Sequence, residues 1–167
     1  MHLADNYSNP NDVYVSDFTR GILSQYQRLA AGGRPTFAPG TETYKGKYTL
    51  NISPNITIAI EENDPQTSIS AVEWDSDKKQ DWTRAITIES HKFLGLLTPH
   101  KVSEGNKGTD TSETKILTDG TNGLELVIMQ FDGNEFHQER KPLPGNFYPS
   151  IYQDIANAIY TDFKKSR

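Results

Sequence analysis

The chain has 167 residues, a formal net charge of -5 and a hydrophobic fraction of 34%. That length suits one domain, which can bury about 70% of the surface its unfolded chain exposes. The absence of cysteine excludes a disulfide framework, thiolate catalysis and thiolate metal sites. The lysines and arginines are scattered and form no basic stripe, so nucleic acid is not an expected partner. The modest apolar content implies solvated loops.

The longest apolar run, Leu126 to Met129, is far too short to span a bilayer. No apolar stretch follows Met1, so no signal peptide is expected. A soluble chain is expected. Its compartment stays open between the cytoplasm and, with an export signal trimmed, the periplasm or exterior.

Residues 1–14 are polar and read as a flexible leader, with 15–167 as a single α+β domain. Ser16 has the chemistry of a helix N-cap, with Asp17 in the first turn. Phe18, Ile22, Tyr26, Leu29 and Ala30 follow on one apolar face, and Gly32 and Gly33 end the helix. Residues 34–40, with Pro35 and Pro39, read as an extended connector.

Alternation then sets in. Tyr44, Gly46, Tyr48, Leu50 and Ile52 share one face, and Ser53-Pro54-Asn55 turns the chain into Ile56, Ile58 and Ile60. A second hairpin is expected from residues 67–74 and 82–90, with Trp74 and Trp82 flanking the polar loop 75–81. Phe93 to Leu97 extends the second of these strands or forms a short one. Residues 98–113 hold Pro99, Gly105 and Gly108, with Val102 as the only large apolar side chain. Sixteen residues without a pattern predict a functional or disordered loop.

Strand pattern resumes at Thr114 to Thr118, and residues 119–123 form a strong turn signal. Leu124 to Phe131 is nearly all apolar, as expected of a central strand buried on both faces. Asp132-Gly133-Asn134 turns into a last strand, Glu135 to Arg140. The final helix starts near Pro149-Ser150. It carries Ile151, Ile155, Ile159 and Phe163 on one face, with Lys164 and Lys165 placed to complement its dipole. The pattern predicts one antiparallel sheet, flat or strongly curved, of about 6–8 strands with a helix from each end of the chain packed on it.

Chemistry-bearing groups are few. Glu89 and His91 share a strand face, as do Glu135, His137 and Glu139. A histidine flanked by carboxylates suits a general base or a metal ligand. Alternating polar residues on a strand equally describe a solvated sheet face, which is the preferred reading. Asp75, Asp77 and Asp81 suggest a calcium loop, but Lys79 and Gln80 break its ligand pattern. No phosphate loop, nucleophile elbow or helical zinc pair occurs. No catalytic residue, metal or cofactor is assigned.

The expectation is a non-enzymatic domain of accessory, inhibitor or immunity type that binds another protein through polar loops. Its candidate binding residues are Trp74, Asp75, Asp77, Asp81, Trp82, His100, Lys101 and Lys107. One alternative is a binder of a small hydrophobic ligand or a carbohydrate, built on a curved sheet. The other is an enzyme using the histidine–carboxylate sets.

Overall fold

The computed structural model describes residues 10–39 and 47–166. The expected strand Tyr44 to Ile52 therefore begins outside the described residues, as does residue 40 of the connector. Among the described residues nine strands follow each other across one antiparallel sheet in chain order. They are β1 (Ala38–Pro39), β2 (Lys47–Ser53), β3 (Ile56–Asn63), β4 (Gln66–Trp74), β5 (Trp82–Phe93), β6 (Leu96–Lys107), β7 (Ser112–Gly120), β8 (Gly123–Phe131) and β9 (Phe136–Pro142). Two α-helices accompany the sheet among the described residues, α1 (Asp17–Gly32) and α2 (Ser150–Lys165).

The period-2 pattern explains the layering. One row of apolar side chains crosses seven strands, from Tyr48 through Ile60, Ile69, Ile88, Val102 and Leu117 to Leu126. Six of the seven are buried, and Tyr48 packs at the margin. Both helices turn their apolar faces into the same core, through Ile22 and Tyr26 of α1 and Ile155, Ile159 and Phe163 of α2. Phe163 is fully buried, with Tyr48 4.9 Å and Phe37 5.7 Å away between ring centroids. No helix among the described residues is long and apolar enough to cross a membrane.

Polar contacts fix where the helices sit. Ser16 caps α1 by accepting from the Thr19 amide at 3.1 Å. The Ser16 and Thr19 hydroxyls both donate to Glu104 of β6, and Tyr152 of α2 donates to the other oxygen of the same carboxylate at 3.1 Å. One strand carboxylate thus ties both helices to the sheet. Desolvation, then the Glu104 charge, holds the Tyr152 phenol well above its ordinary pKa. At the other end of α2, Tyr160 donates to Glu62, which Lys92 also approaches at 3.7 Å. Asn157 accepts from the Leu97 amide at 2.8 Å and donates to the Leu97 carbonyl at 2.9 Å.

The structure corrects several expectations. The described residues form nine strands rather than 6–8, partly because residues 98–113 are mostly strand. Twelve residues, Leu96–Lys107, form β6, and only 108–111 turn the chain. Its pattern is hidden for local reasons. A register shift opposite Glu89 and Ser90 breaks the alternation, and Glu104 spends a core-facing position on the helix anchor. Gly105 faces the opposite side, where the Trp82 ring lies over it. A Cβ there would sit 3.2 Å from the indole.

β8 is buried on both faces in part, yet it is the penultimate strand rather than a central one. The last strand runs from Phe136 to Pro142 rather than 135–140. Residues 10–14, read as the end of a loose leader, form a 3-10 turn. Its Asn11 is buried and donates to the Phe147 carbonyl at 2.7 Å.

Candidate functional site: a groove at one end of the sheet

In an antiparallel meander alternate connections emerge at the same end. The β4–β5 loop (75–81), the β6–β7 turn (108–111) and the β8–β9 turn (132–135) therefore gather together. At this end lies a groove of about 760 Å³, lined by Trp82, Lys107, residues 108–112, Phe131 and residues 132–134, with none of residues 75–81 in its lining. Its order across the sheet follows from topology. Trp82 stands on β5, the β6–β7 tip occupies the middle, and Phe131 with its turn stands on β8. Three strand spacings separate the aromatic walls, a width of about 14 Å.

Each wall is held by local chemistry. Gly105 leaves room for the Trp82 indole, and Lys107 places its ammonium 5.9 Å from that ring's centroid. Phe131 packs against Phe136 at 4.8 Å between centroids, steadying the far wall. The Asp132 carboxylate accepts from the backbone amides of Asn134 and Glu135, both at 2.9 Å. His137 Nε2 lies 3.0 Å from its other oxygen. The Glu135 and Asn134 amides, then His137, hold the Asp132 pKa down at about 2, so the turn carries a fixed negative charge. Gly133, at φ 101°, supplies the left-handed conformation this turn requires.

A second cleft of about 430 Å³ opens on the helix side of the same hairpin tip, lined in part by Asn106, Glu113, Gln130 and His137. The β6–β7 tip is thus flanked by concavities on both faces.

The expected binding residues divide between the two ends of the sheet. Trp82 and Lys107 meet in the groove. Trp74 pairs with Trp82 in register across β4 and β5, but its indole N–H donates to Thr57 at 3.3 Å and it lines a neighbouring cleft. Asp75 shapes its loop by accepting from the Lys78 and Asp77 amides at 2.9 and 2.8 Å, which lowers its pKa. Asp77 and Asp81 belong to the same loop. Among the described residues no group of three or more histidine and carboxylate side chains is placed to hold a metal ion. Only the three aspartates occupy a loop. Trp74 and Trp82 end strands as expected, and His100, Lys101 and Lys107 sit in a strand because the stretch expected to be a long loop became β6.

His100 and Lys101 lie toward the opposite end. The His100 ring stacks on His91, with centroids 4.2 Å apart and planes 26° from parallel. Burial of the ring, then the His91 charge, pushes the His100 pKa below its ordinary 6.5. Lys101 reaches Glu89 at 4.0 Å. β6, β7 and β8 separate Glu89 and His91 from His137 and Glu139, so the two histidine–carboxylate sets do not join in one site.

Phe131, Asp110 and Asp132 were not among the candidates drawn from the sequence. Asp132-Gly133-Asn134 was readable as a turn, but nothing local places it three strands from Trp82. Comparison with protein-family models, curated proteins and solved structures returns no match.

Proposed function

We propose that this protein is a binding domain whose partner is another protein, engaged by the groove between Trp82 and Phe131. The observation that carries this reading is the groove itself. Two aromatic walls stand about 14 Å apart across a polar hairpin tip, wide enough for one extended or helical polypeptide segment. The walls offer apolar contact of the kind that anchors protein interfaces. Lys107, Asp110 and the fixed charge of Asp132 supply polar selection at the rim. The platform beneath is a hydrogen-bonded sheet, so the site is preorganised and little ordering entropy opposes capture.

A carbohydrate is the second reading. The Trp82 ring beside Asp110, Asp132 and Asn134 is the chemistry that stacks on a sugar and hydrogen-bonds its hydroxyls.

The test is comparative capture from a native lysate with quantitative mass spectrometry. Baits are the wild type, a Trp82→Ala/Lys107→Glu variant and a control altered at the far end, His91→Ala. A protein retained by wild type and control but lost from the groove variant supports the reading. Equal recovery by all three baits refutes it. A glycan array probed with the same three baits decides the second reading by the same comparison.

A further inference from the structure

We infer that the chain forms a two-fold dimer by antiparallel pairing of β9 with β9 of a second copy, in a register centred on Gln138. The starting point is an asymmetry between the sheet edges. β1 has two residues, one of them Pro39, and offers little to pair with. β9 has seven, all exposed, and among the described residues it pairs with β8 alone. Pairing the longer edge strand among the described residues with its own copy gives a closed pair rather than an open filament.

The backbone fixes which residues can pair. The Leu143 amide donates to the Leu124 carbonyl and the Asp132 amide to the Glu135 carbonyl. Hydrogen-bonded pairs alternate along an antiparallel ladder. Glu139 and His137 therefore turn their amides toward β8, and Phe136, Gln138 and Arg140 turn theirs outward. Pro142, which has no amide hydrogen, falls in the outward set, where it leaves the ladder to β8 intact.

Side-chain charge then selects the register. A two-fold axis normal to the sheet keeps each face with its like, so only even shifts are allowed. Centring on His137 sets Glu135 opposite Glu139. Centring on Glu139 sets that residue opposite itself and His137 opposite Lys141. Centring on Arg140 sets two guanidinium groups opposite each other. Like charges directly opposed across strands are destabilising.

Centring on Gln138 avoids every such clash. His137 faces Glu139 of the partner, Glu135 faces Lys141, and Phe136, 80% exposed in the single chain, faces Arg140. The outward amides of Phe136, Gln138 and Arg140 all find carbonyls. The same charges that blunt this edge against indiscriminate pairing thus leave this register open. The contact is small and belongs to the weak, transient class of interfaces, below about 1,200 Å² of buried surface.

Sedimentation velocity of the full chain from low micromolar to near-millimolar concentration should show a concentration-dependent monomer–dimer equilibrium. Gln138→Pro should abolish the dimer while leaving the far-ultraviolet spectrum unchanged. Glu139→Lys should weaken it, and His137→Glu combined with Glu139→Lys should restore it. Gln138→Cys should cross-link to its own copy under oxidation, because hydrogen-bonded antiparallel mates lie about 5.5 Å apart, within disulfide reach. Arg140→Cys should not, since two copies of that residue would be about 13 Å apart. A monomer at every concentration overturns the proposal, as does cross-linking of Arg140→Cys as readily as Gln138→Cys.

Discussion

Replacing Asn157 with alanine tests the docking of α2 on the sheet. β7 pairs with β6 only from Lys101 onward, so the first residues of β6 lack a strand neighbour on that side. Asn157 takes that place, bonding both the amide and the carbonyl of Leu97, whose side chain is fully buried. Each buried backbone group left without a partner costs about 1–3 kcal/mol. Asn157 is half-buried, so water can reach part of the gap, which favours the lower half of the range, roughly 2–4 kcal/mol for the two groups. Alanine is the better helix former by about 0.6 kcal/mol. The expected net loss is about 1.5–3.5 kcal/mol.

Urea unfolding followed by far-ultraviolet circular dichroism measures that loss. Asn157→Asp keeps the acceptor for the Leu97 amide and loses the donor to the carbonyl, so it should fall between wild type and Asn157→Ala. Hydrogen exchange at the Leu97 amide should quicken in the alanine variant and stay slow in the aspartate variant. A midpoint for Asn157→Ala indistinguishable from wild type would refute the latch.

Three further outcomes follow. Phe163→Ala removes the fully buried ring that joins α2 to Tyr48 and Phe37, and should lower stability by about 3–5 kcal/mol in the same assay. The His100 pKa is depressed on folding, so its contribution is present above about 6.5 and is lost as pH falls through the lower folded value. Unfolding midpoints should therefore drop on acidification from pH 7 to 5, and His100→Gln should flatten that slope; an unchanged slope contradicts the assignment. For Asp132 the depressed carboxyl implies a contribution held above about 3.8 and lost only toward pH 2. Its carboxyl resonance should titrate near pH 2, and one that titrates near 4 would show that the turn amides do not bind it.

The terminal helices were legible because each writes its apolar face at helical spacing. Ile155, Ile159 and Phe163 of α2 and Ile22 and Tyr26 of α1 are all buried. The hairpins from Ile56 to Ile88 were legible for the same reason at period two. β6 was not, since its core-facing Glu104 is satisfied by Ser16, Thr19 and Tyr152, groups far away in sequence. β8 misled in the other direction. Its apolar residues on both faces suggest a central strand, although among the described residues only β9 lies beyond it. The turns that border the groove could be read from Asp, Gly and Asn. Their meeting could not, because it depends on a strictly sequential strand order that hairpin signals allow but do not dictate. Lys107 illustrates the gap, since the local pattern places it in a loop and it works instead from the end of a strand.

The most direct test of the recognition surface is a heteronuclear NMR titration of the labelled chain with the protein recovered by differential capture. Binding in the groove predicts shifts confined to the Trp82 indole, the amides of residues 107–112 and those of 131–134. Shifts centred on His91, His100 and Lys101 at the far end, with Trp82 and residues 107–112 unmoved, would contradict it.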